Sequence, residues 1–344
     1  MRFYGLDTLR ALMMLLGIVV HAAYFFTVSA SEKYIELYDT SLLISYLQFF
    51  LSSFRMETFF ILCGFLSSMV LVKKNRNYYI KNRIDRVLIP LITGILLISI
   101  PFILLNEENF TLKNIILHFW FLITLLIFSG ISITDRYQNI LKSISLRSTL
   151  TLSLIVTFIS IPFIVITKYL PAIINDLNFI FIYKTVYYIP YFTIGYYLYI
   201  HKDKNYFSIL KKPAFLVAAV SLIVATILQI LSYQQHDLIN SFYFKILNIS
   251  INNILSLSLS LYIFIFFLSI NKSSSKVTKF LIDSSLVVYM VHYPIIFIIE
   301  PYAQNFNSSI YSFFFICTLT FIISFLIFKI LKIFKITRFL FGIK

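Results

Sequence analysis

Ten apolar runs, each long enough to cross a lipid bilayer, divide this chain of 344 residues. They fall at 9–29, 43–72, 87–105, 115–133, 150–168, 179–200, 214–233, 246–270, 280–301 and 310–334. A helix needs about 20 apolar residues to span the hydrocarbon. Inside lipid every backbone N–H and C=O must find its partner within the spanning structure. The fold class that follows is all-α: a polytopic membrane helix bundle of about ten transmembrane helices, forming one domain over residues 1–344. The composition agrees, because only 12% of residues are charged, where a soluble protein carries about a quarter. The second run is too long for a straight crossing, so it is expected to be tilted, broken or partly outside the membrane.

The formal net charge is +15. A uniform excess of that size would suggest a nucleic-acid partner, but its distribution excludes one. The basic residues gather in alternate loops, such as the one holding Lys73, Lys74, Arg76, Lys81, Arg83 and Arg86, and in the tail with Lys335 and Arg338. The intervening loops hold Glu32, Glu36 and Asp39, then Glu107 and Glu108. The positive-inside rule turns this alternation into an orientation with both termini in the cytoplasm. Val28-Ser29-Ala30 has the form of a signal-peptide cleavage site. The apolar stretch before it is longer than a signal core of roughly 7–15 residues, so an uncleaved first span is expected. Cys63 and Cys317 lie in apolar runs and read as small apolar residues.

Polar groups inside the spans carry the chemistry. The first span holds Asp7, Arg10 and His21. Arg10 and His21 are eleven residues apart, which on a helix puts them on one face with a rise of about 16 Å. Asp7 reaches Arg10, three residues on, but not His21, so any group that orients His21 comes from another helix. A neutral imidazole at that depth suits proton transfer from a hydroxyl. Arg55 lies near the middle of the second run, at a cost of at least about 2.5 kcal/mol for a central arginine. Glu57, two residues on, is on another face, so an intrahelical pair is not expected. Arg83 and Arg86 share a helix face and suit phosphate, although any cytoplasmic loop is basic. His118-Phe119-Trp120 opens the fourth span and His292 lies within the ninth. His201 and His236 lie in or beside loops. The chain has no phosphate-binding glycine loop, no Gly-x-Ser-x-Gly and no His-Glu-x-x-His.

These pieces together resemble the acyltransferase-3 family of membrane acyltransferases. The resemblance rests on Leu6-Asp7-x-Leu9-Arg10 followed by His21, on Ser53-Phe54-Arg55-Met56 with Phe59-Phe60 and Gly64-Phe65, and on Arg83-x-x-Arg86-Val87-x-Ile89-Pro90. It continues through His118-x-Trp120-Phe121-Leu122, Tyr188-x-Pro190-x-Phe192-x-x-Gly195 and Ser285-Leu286-x-x-Tyr289-x-Val291-His292-x-Pro294. The branch it looks most like is the one associated with succinylation of osmoregulated periplasmic glucans. Cys63, Glu57 and Tyr293 depart from the pattern, the last standing where a second histidine is expected.

The resemblance implies an integral-membrane acyltransferase of a bacterial inner membrane. Its donor would be a cytoplasmic acyl-CoA, succinyl-CoA or acetyl-CoA, with no resident cofactor or metal. Its acceptor would be a glucan or other surface glycan. His21, Arg10, Arg55, His118 and His292 would be catalytic, with His21 as general base or acyl carrier. Arg10, Arg83 and Arg86 would hold the donor, and Trp120 and Glu57 the acceptor. Two other readings fit the buried Arg and His: an O-acetyltransferase of another surface polysaccharide, and a transporter or flippase of a sugar-containing substrate. The sequence shows neither the internal repeat nor the Gly/Pro-broken half-helices common in transporters.

Overall fold

The computed structural model describes residues 3–106, 111–167, 183–234, 241–270 and 275–343. Among these residues the regular structure is helical only. The chain runs α1 (Tyr4–Ala23), α2 (Glu32–Leu37), α3 (Leu42–Ser52), α4 (Arg55–Lys73), α5 (Arg76–Leu105), α6 (Asn114–Ile133) and α7 (Asp135–Ser143). It continues with α8 (Leu146–Thr167), α9 (Lys184–Ile200), α10 (Tyr206–Gln234), α11 (Phe242–Leu268), α12 (Lys276–Ala303), α13 (Ser309–Leu331) and α14 (Lys335–Leu340). Eight helical stretches among the described residues are long and apolar enough to cross a membrane, or nine if α7 with residues 146–158, bent by 120°, counts as one span. The sixth expected span, 179–200, begins outside the described residues, and its described part is the 17-residue α9. Glu107, Glu108 and His236 also lie outside them. Asp7 and Gly342 line the same cavity, so both ends of the described chain meet at one end of the bundle. That end also carries Arg10, Arg83 and Arg86 and is called the basic end below.

The long second run, Leu42–Lys73, is interrupted by a local break. Its first half, α3, ends at Ser52, and Phe54 leaves helical geometry with φ −137° and ψ −18°. The break makes Arg55 the first residue of α4, where its side chain points off the helix end into the bundle. α5 is continuous but carries two π-helical turns, Ile84–Leu88 and Ile95–Ser99, one on each side of Pro90 and Gly94. Such turns re-aim the side chains that follow them, and the first contains Arg86. α6 is interrupted by a tight turn at Leu117–Phe119, where Leu117 takes φ +47°. A non-glycine residue held there costs on the order of 1–3 kcal/mol. The turn it closes carries His118 into the core, where it is 5% exposed.

The tightest helix crossing is between α4 and α9. A Cβ on Gly64 would lie 1.9 Å from the carbonyl oxygen of Phe192, and one on Gly195 would lie 1.8 Å from that of Ile61. Each glycine receives the other helix's backbone. In lipid, where apolar tails compete with apolar side chains, such small-residue contacts drive helix association. At the end of the bundle away from the basic end, Tyr38 donates to the Glu300 carboxylate at 2.7 Å and to its carbonyl at 2.9 Å. Burial, then that carboxylate, holds the Tyr38 phenol protonated far above its usual range.

Substituting Gly64 or Gly195 by alanine should force α4 and α9 apart. We expect a lower melting temperature for the purified protein, equivalent to about 1–3 kcal/mol. Gly130, with nothing within 4 Å of its Cβ position, is the internal control. Gly130→Ala should leave melting unchanged, and an equal loss at all three positions would show that helix flexibility, not close approach, sets the effect.

Candidate active site

The stripe on α1 that joins Arg10 to His21 is Arg10, Met14, Gly17 and His21, spaced four, three and four residues apart. This is the i, i+4, i+7, i+11 pattern of one helix face. At the basic end Arg10 and Met14 line a cavity of about 360 Å³. Arg83 and Arg86 share its mouth, and Phe59, Cys63 and Phe121 are among its apolar walls. Above this cavity Gly17 lets two polar groups approach the helix backbone. A Cβ there would lie 2.8 Å from Arg55 Nη1 and 3.4 Å from His292 Nε2. One turn further, His21 meets the rings of His292, with centroids 5.3 Å apart, and Tyr293, at 5.4 Å.

His118 completes the cluster. Its ring lies 5.1 Å from that of His292 and stacks on Tyr293 at 5.3 Å. Four of the expected residues, His21, Arg55, His118 and His292, are therefore gathered from α1, α4, α6 and α12. Tyr293 fills the position between His21 and His118.

One backbone carbonyl fixes two of these rings. His118 Nε2 is 3.0 Å from the carbonyl oxygen of Tyr289, and His292 Nδ1 is 2.6 Å from the same oxygen. The phenol of Tyr289 in turn donates to the carbonyl of His118. A carbonyl only accepts, so both imidazole nitrogens that face it carry hydrogen. For neutral rings, His118 is then the Nε2–H tautomer and His292 the Nδ1–H tautomer. Their other nitrogens, His118 Nδ1 and His292 Nε2, are bare acceptors, buried and without a hydrogen-bond partner among the described residues. Arg55 Nε is a buried donor in the same condition. Buried polar atoms left unsatisfied are costly and call for an explanation. Here His292 Nε2 and the Arg55 side chain face Gly17, and the His118 ring adjoins that of His292. A site built to receive a polar, hydroxyl- or carbonyl-bearing ligand has this form. Among the described residues no hydrogen bond fixes His21, whose ring is partly accessible.

The remaining expected residues separate from this cluster. Arg10 lies at the cavity mouth, 3.9 Å from Asp7 and about a third exposed. Eleven residues from His21, about 16 Å along the helix, it cannot touch the atoms that react there. The structure places it apart from the histidines, among the groups at the mouth. Arg83 donates to Ser67 Oγ at 2.7 Å and lies over the Tyr79 ring at 4.8 Å, so part of its fork is already engaged. Glu57 faces α9: it is 3% exposed, and its Oε1 accepts from Tyr187 at 3.2 Å. Trp120 stacks on Tyr188 at 5.5 Å, with Lys184 Nζ 4.6 Å from the indole centroid. Glu57, Trp120, Tyr187, Tyr188 and Lys184 thus make a second, aromatic group beside the histidines.

Sequence reasoning missed Lys184, although an ionisable residue within an apolar run is itself a signal. It also missed Gly17, which the spacing from Arg10 to His21 could have exposed. The Tyr289 carbonyl left no trace in the sequence, because backbone atoms carry no residue identity.

Nitrogen-15 NMR of histidine-labelled protein should find His118 and His292 as neutral imidazoles of opposite tautomers, Nε2–H and Nδ1–H. The same tautomer for both rings would refute the shared carbonyl.

Residues 3–329 match the family model of the acyltransferase-3 acyltransferase domain. Among curated proteins, the chain is similar to "Glucans biosynthesis protein C" of Salmonella typhi and of Salmonella typhimurium, each 28% identical over 379 aligned positions covering 99% of this chain and 94% of the relative. The protein of the same name from Salmonella paratyphi B is also 28% identical, over 378 positions. No solved structure matches the chain. With nearly the whole chain matched, and with His21, Arg55, His118 and His292 gathered at one site, this protein belongs to the acyltransferase-3 family of membrane acyltransferases.

Proposed function

We propose that the chain moves an acyl group, with succinyl favoured, from a cytoplasmic acyl-CoA to hydroxyls of a glucan outside the bacterial inner membrane. The observation that carries this reading is the α1 stripe. It joins a basic-mouthed cavity at one end to a cluster of bare imidazole nitrogens and a buried guanidinium at the other. The basic end faces the cytoplasm by the positive-inside rule. The names of the relatives support a glucan acceptor.

In this reading the thioester enters from the basic end with its phosphates held at the mouth near Arg10, Arg83 and Arg86. Its acyl carbon arrives beside Gly17. An acceptor hydroxyl approaches from the other side, past Trp120, Tyr188 and Glu57. His21 takes the hydroxyl proton as the oxygen bonds to the acyl carbon. The bare Nε2 of His292 accepts the remaining N–H of His21 and so sets its tautomer, a contact that tightens when substrate is bound. This is the orienting partner from another helix that Asp7 could not supply. Arg55 stabilises the oxyanion of the tetrahedral intermediate, which is where a buried fixed cation has its greatest effect. The C–S bond then breaks, and the CoA thiolate leaves with the proton held by His21. Oxygen has replaced sulfur on the acyl carbon and no other reactant is consumed.

His21→Ala should abolish glycan acylation while the purified protein keeps its melting temperature. His292→Ala should lower kcat by about 10²-fold, the cost of a misplaced reacting group. Wild-type ester levels in the His21→Ala strain would sink this assignment. The mass of the ester lost from cellular glycans in a strain without the protein distinguishes succinyl from acetyl.

Gly17→Ala separates position from chemistry. The added methyl meets the far end of the flexible Arg55 side chain, which can shift. We expect a folded protein whose kcat falls by at least about tenfold, as misplacement near a reacting centre costs. Unchanged kcat would remove Arg55 from the reaction.

A further inference from the structure

We propose that the C-terminal segment completes a phosphate pocket, in which Arg338 and Lys81 grip the 3′-phosphorylated nucleotide end of the acyl-CoA donor. The inference rests on the donor assigned above and adds a binding site for it.

A second cavity of about 410 Å³ adjoins the donor cavity at the basic end. The two share Tyr78, Asn82, Arg86 and Gly342 as walls, so one opens off the other. Its volume is within the range of about 300–1,000 Å³ for small-molecule sites. Three cations line it, Lys81, Arg86 and Arg338, against one carboxylate, Asp85. Among the described residues none of the three cations has an ion pair within 4.0 Å. Three cations around one cavity with a single carboxylate repel one another, and an anion relieves that repulsion.

The tail is built to stay there. Ile343 N–H donates back to the Arg338 carbonyl at 2.8 Å, closing the end of α14. That closure needs Gly342 in the left-handed region, at φ +63°. A Cβ on Gly342 would lie 3.1 Å from both Leu286 Cδ2 and Pro90 Cγ, so the chain end is pressed against α12 and α5. Phe341 is buried at 6% exposure. The family match ends at residue 329, so Arg338 lies beyond it, while Lys81 and Arg86 lie within it.

The donor cavity explains what the pocket holds. At its mouth Arg10 is paired with Asp7, and Arg83 is engaged by Ser67 and Tyr79. These two leave few donors for a ligand that carries a diphosphate and a separate 3′-phosphate. Arg86, common to both cavities, sits where the diphosphate would turn from one to the other. Arg338 and Lys81 lie beyond it, where the 3′-phosphate would fall, and arginine's fork suits phosphate geometry. The half-exposed ring of Tyr78 at the junction offers a face for the adenine. An anionic phospholipid headgroup shares the phosphate chemistry, so the test must separate the two.

Purified full-length protein in detergent is titrated calorimetrically with CoA, with dephospho-CoA and with short-chain phosphatidylglycerol. We expect the wild type to prefer CoA over dephospho-CoA by about tenfold or more, the worth of a charge-assisted contact. R338Q should remove that preference while leaving dephospho-CoA affinity within about twofold of wild type, since that ligand lacks the group being held. K81Q should act in the same direction and replaces R338Q if that variant is unstable. A preference that survives in both variants overturns the proposal and leaves the donor reading standing. So does a loss confined to phosphatidylglycerol binding, which makes this a lipid site. A wild type that binds neither nucleotide overturns the donor and the pocket together.

Discussion

The carbonyl oxygen of Tyr289 is the acceptor on which the histidine cluster depends. It receives His118 from α6 and His292 from its own helix, and it decides which nitrogen of each ring is bare. A helical carbonyl is ordinarily occupied by the N–H four residues on. Pro294 has no N–H to give the carbonyl of Met290, so it frees backbone in the next position along α12. In lipid such backbone is tolerated only where protein re-satisfies it. The Tyr289 carbonyl itself takes the two imidazoles, and that contact orients both rings.

The α4–α9 crossing does the corresponding work on the other side. Its reciprocal glycines bring backbone against backbone, so the start of α4 is held tightly against α9. Arg55 and Glu57 sit on that start, and they diverge: Arg55 goes towards Gly17 and the histidines, and Glu57 towards Tyr187. Two residues of separation on a helix place side chains on different faces, so one rigid segment serves both groups. The break at Phe54 puts Arg55 at a helix end within the apolar run.

The architecture was legible in the sequence because bilayer thickness and backbone hydrogen bonding leave few choices. The alignment of Arg10 with His21 was legible because α1 is a regular helix. Reasoning from α-helical periodicity falters where the backbone departs from it. Arg83 and Arg86 were expected on one α-helical face, yet the π-helical turn Ile84–Leu88 separates them. They still line one cavity because the turn re-aims Arg86. His118 opens its span. The left-handed Leu117 folds it inward, and no residue type announces that. The count of ten spans was built on apolar length alone, and length does not say whether α7 and α8 form one bent crossing.

The separation of the two ends of α1 is itself an argument about mechanism. Charged phosphates are expensive to bury, while a thioester arm is not. A protein that must bring a soluble donor's acyl group deep into a bilayer therefore gains by fixing the charges at a basic mouth and passing only the uncharged arm inward. Met14, Phe59 and Phe121 are among the apolar walls behind that mouth. In the proposed mechanism the same reasoning favours an imidazole over a carboxylate as the base. A neutral acceptor of protons bears no charge until the reaction supplies one, and that charge would be lost with the departing thiol. The proposed order of charge is then permanent at the mouth, transient at His21, and opposite the oxyanion at Arg55.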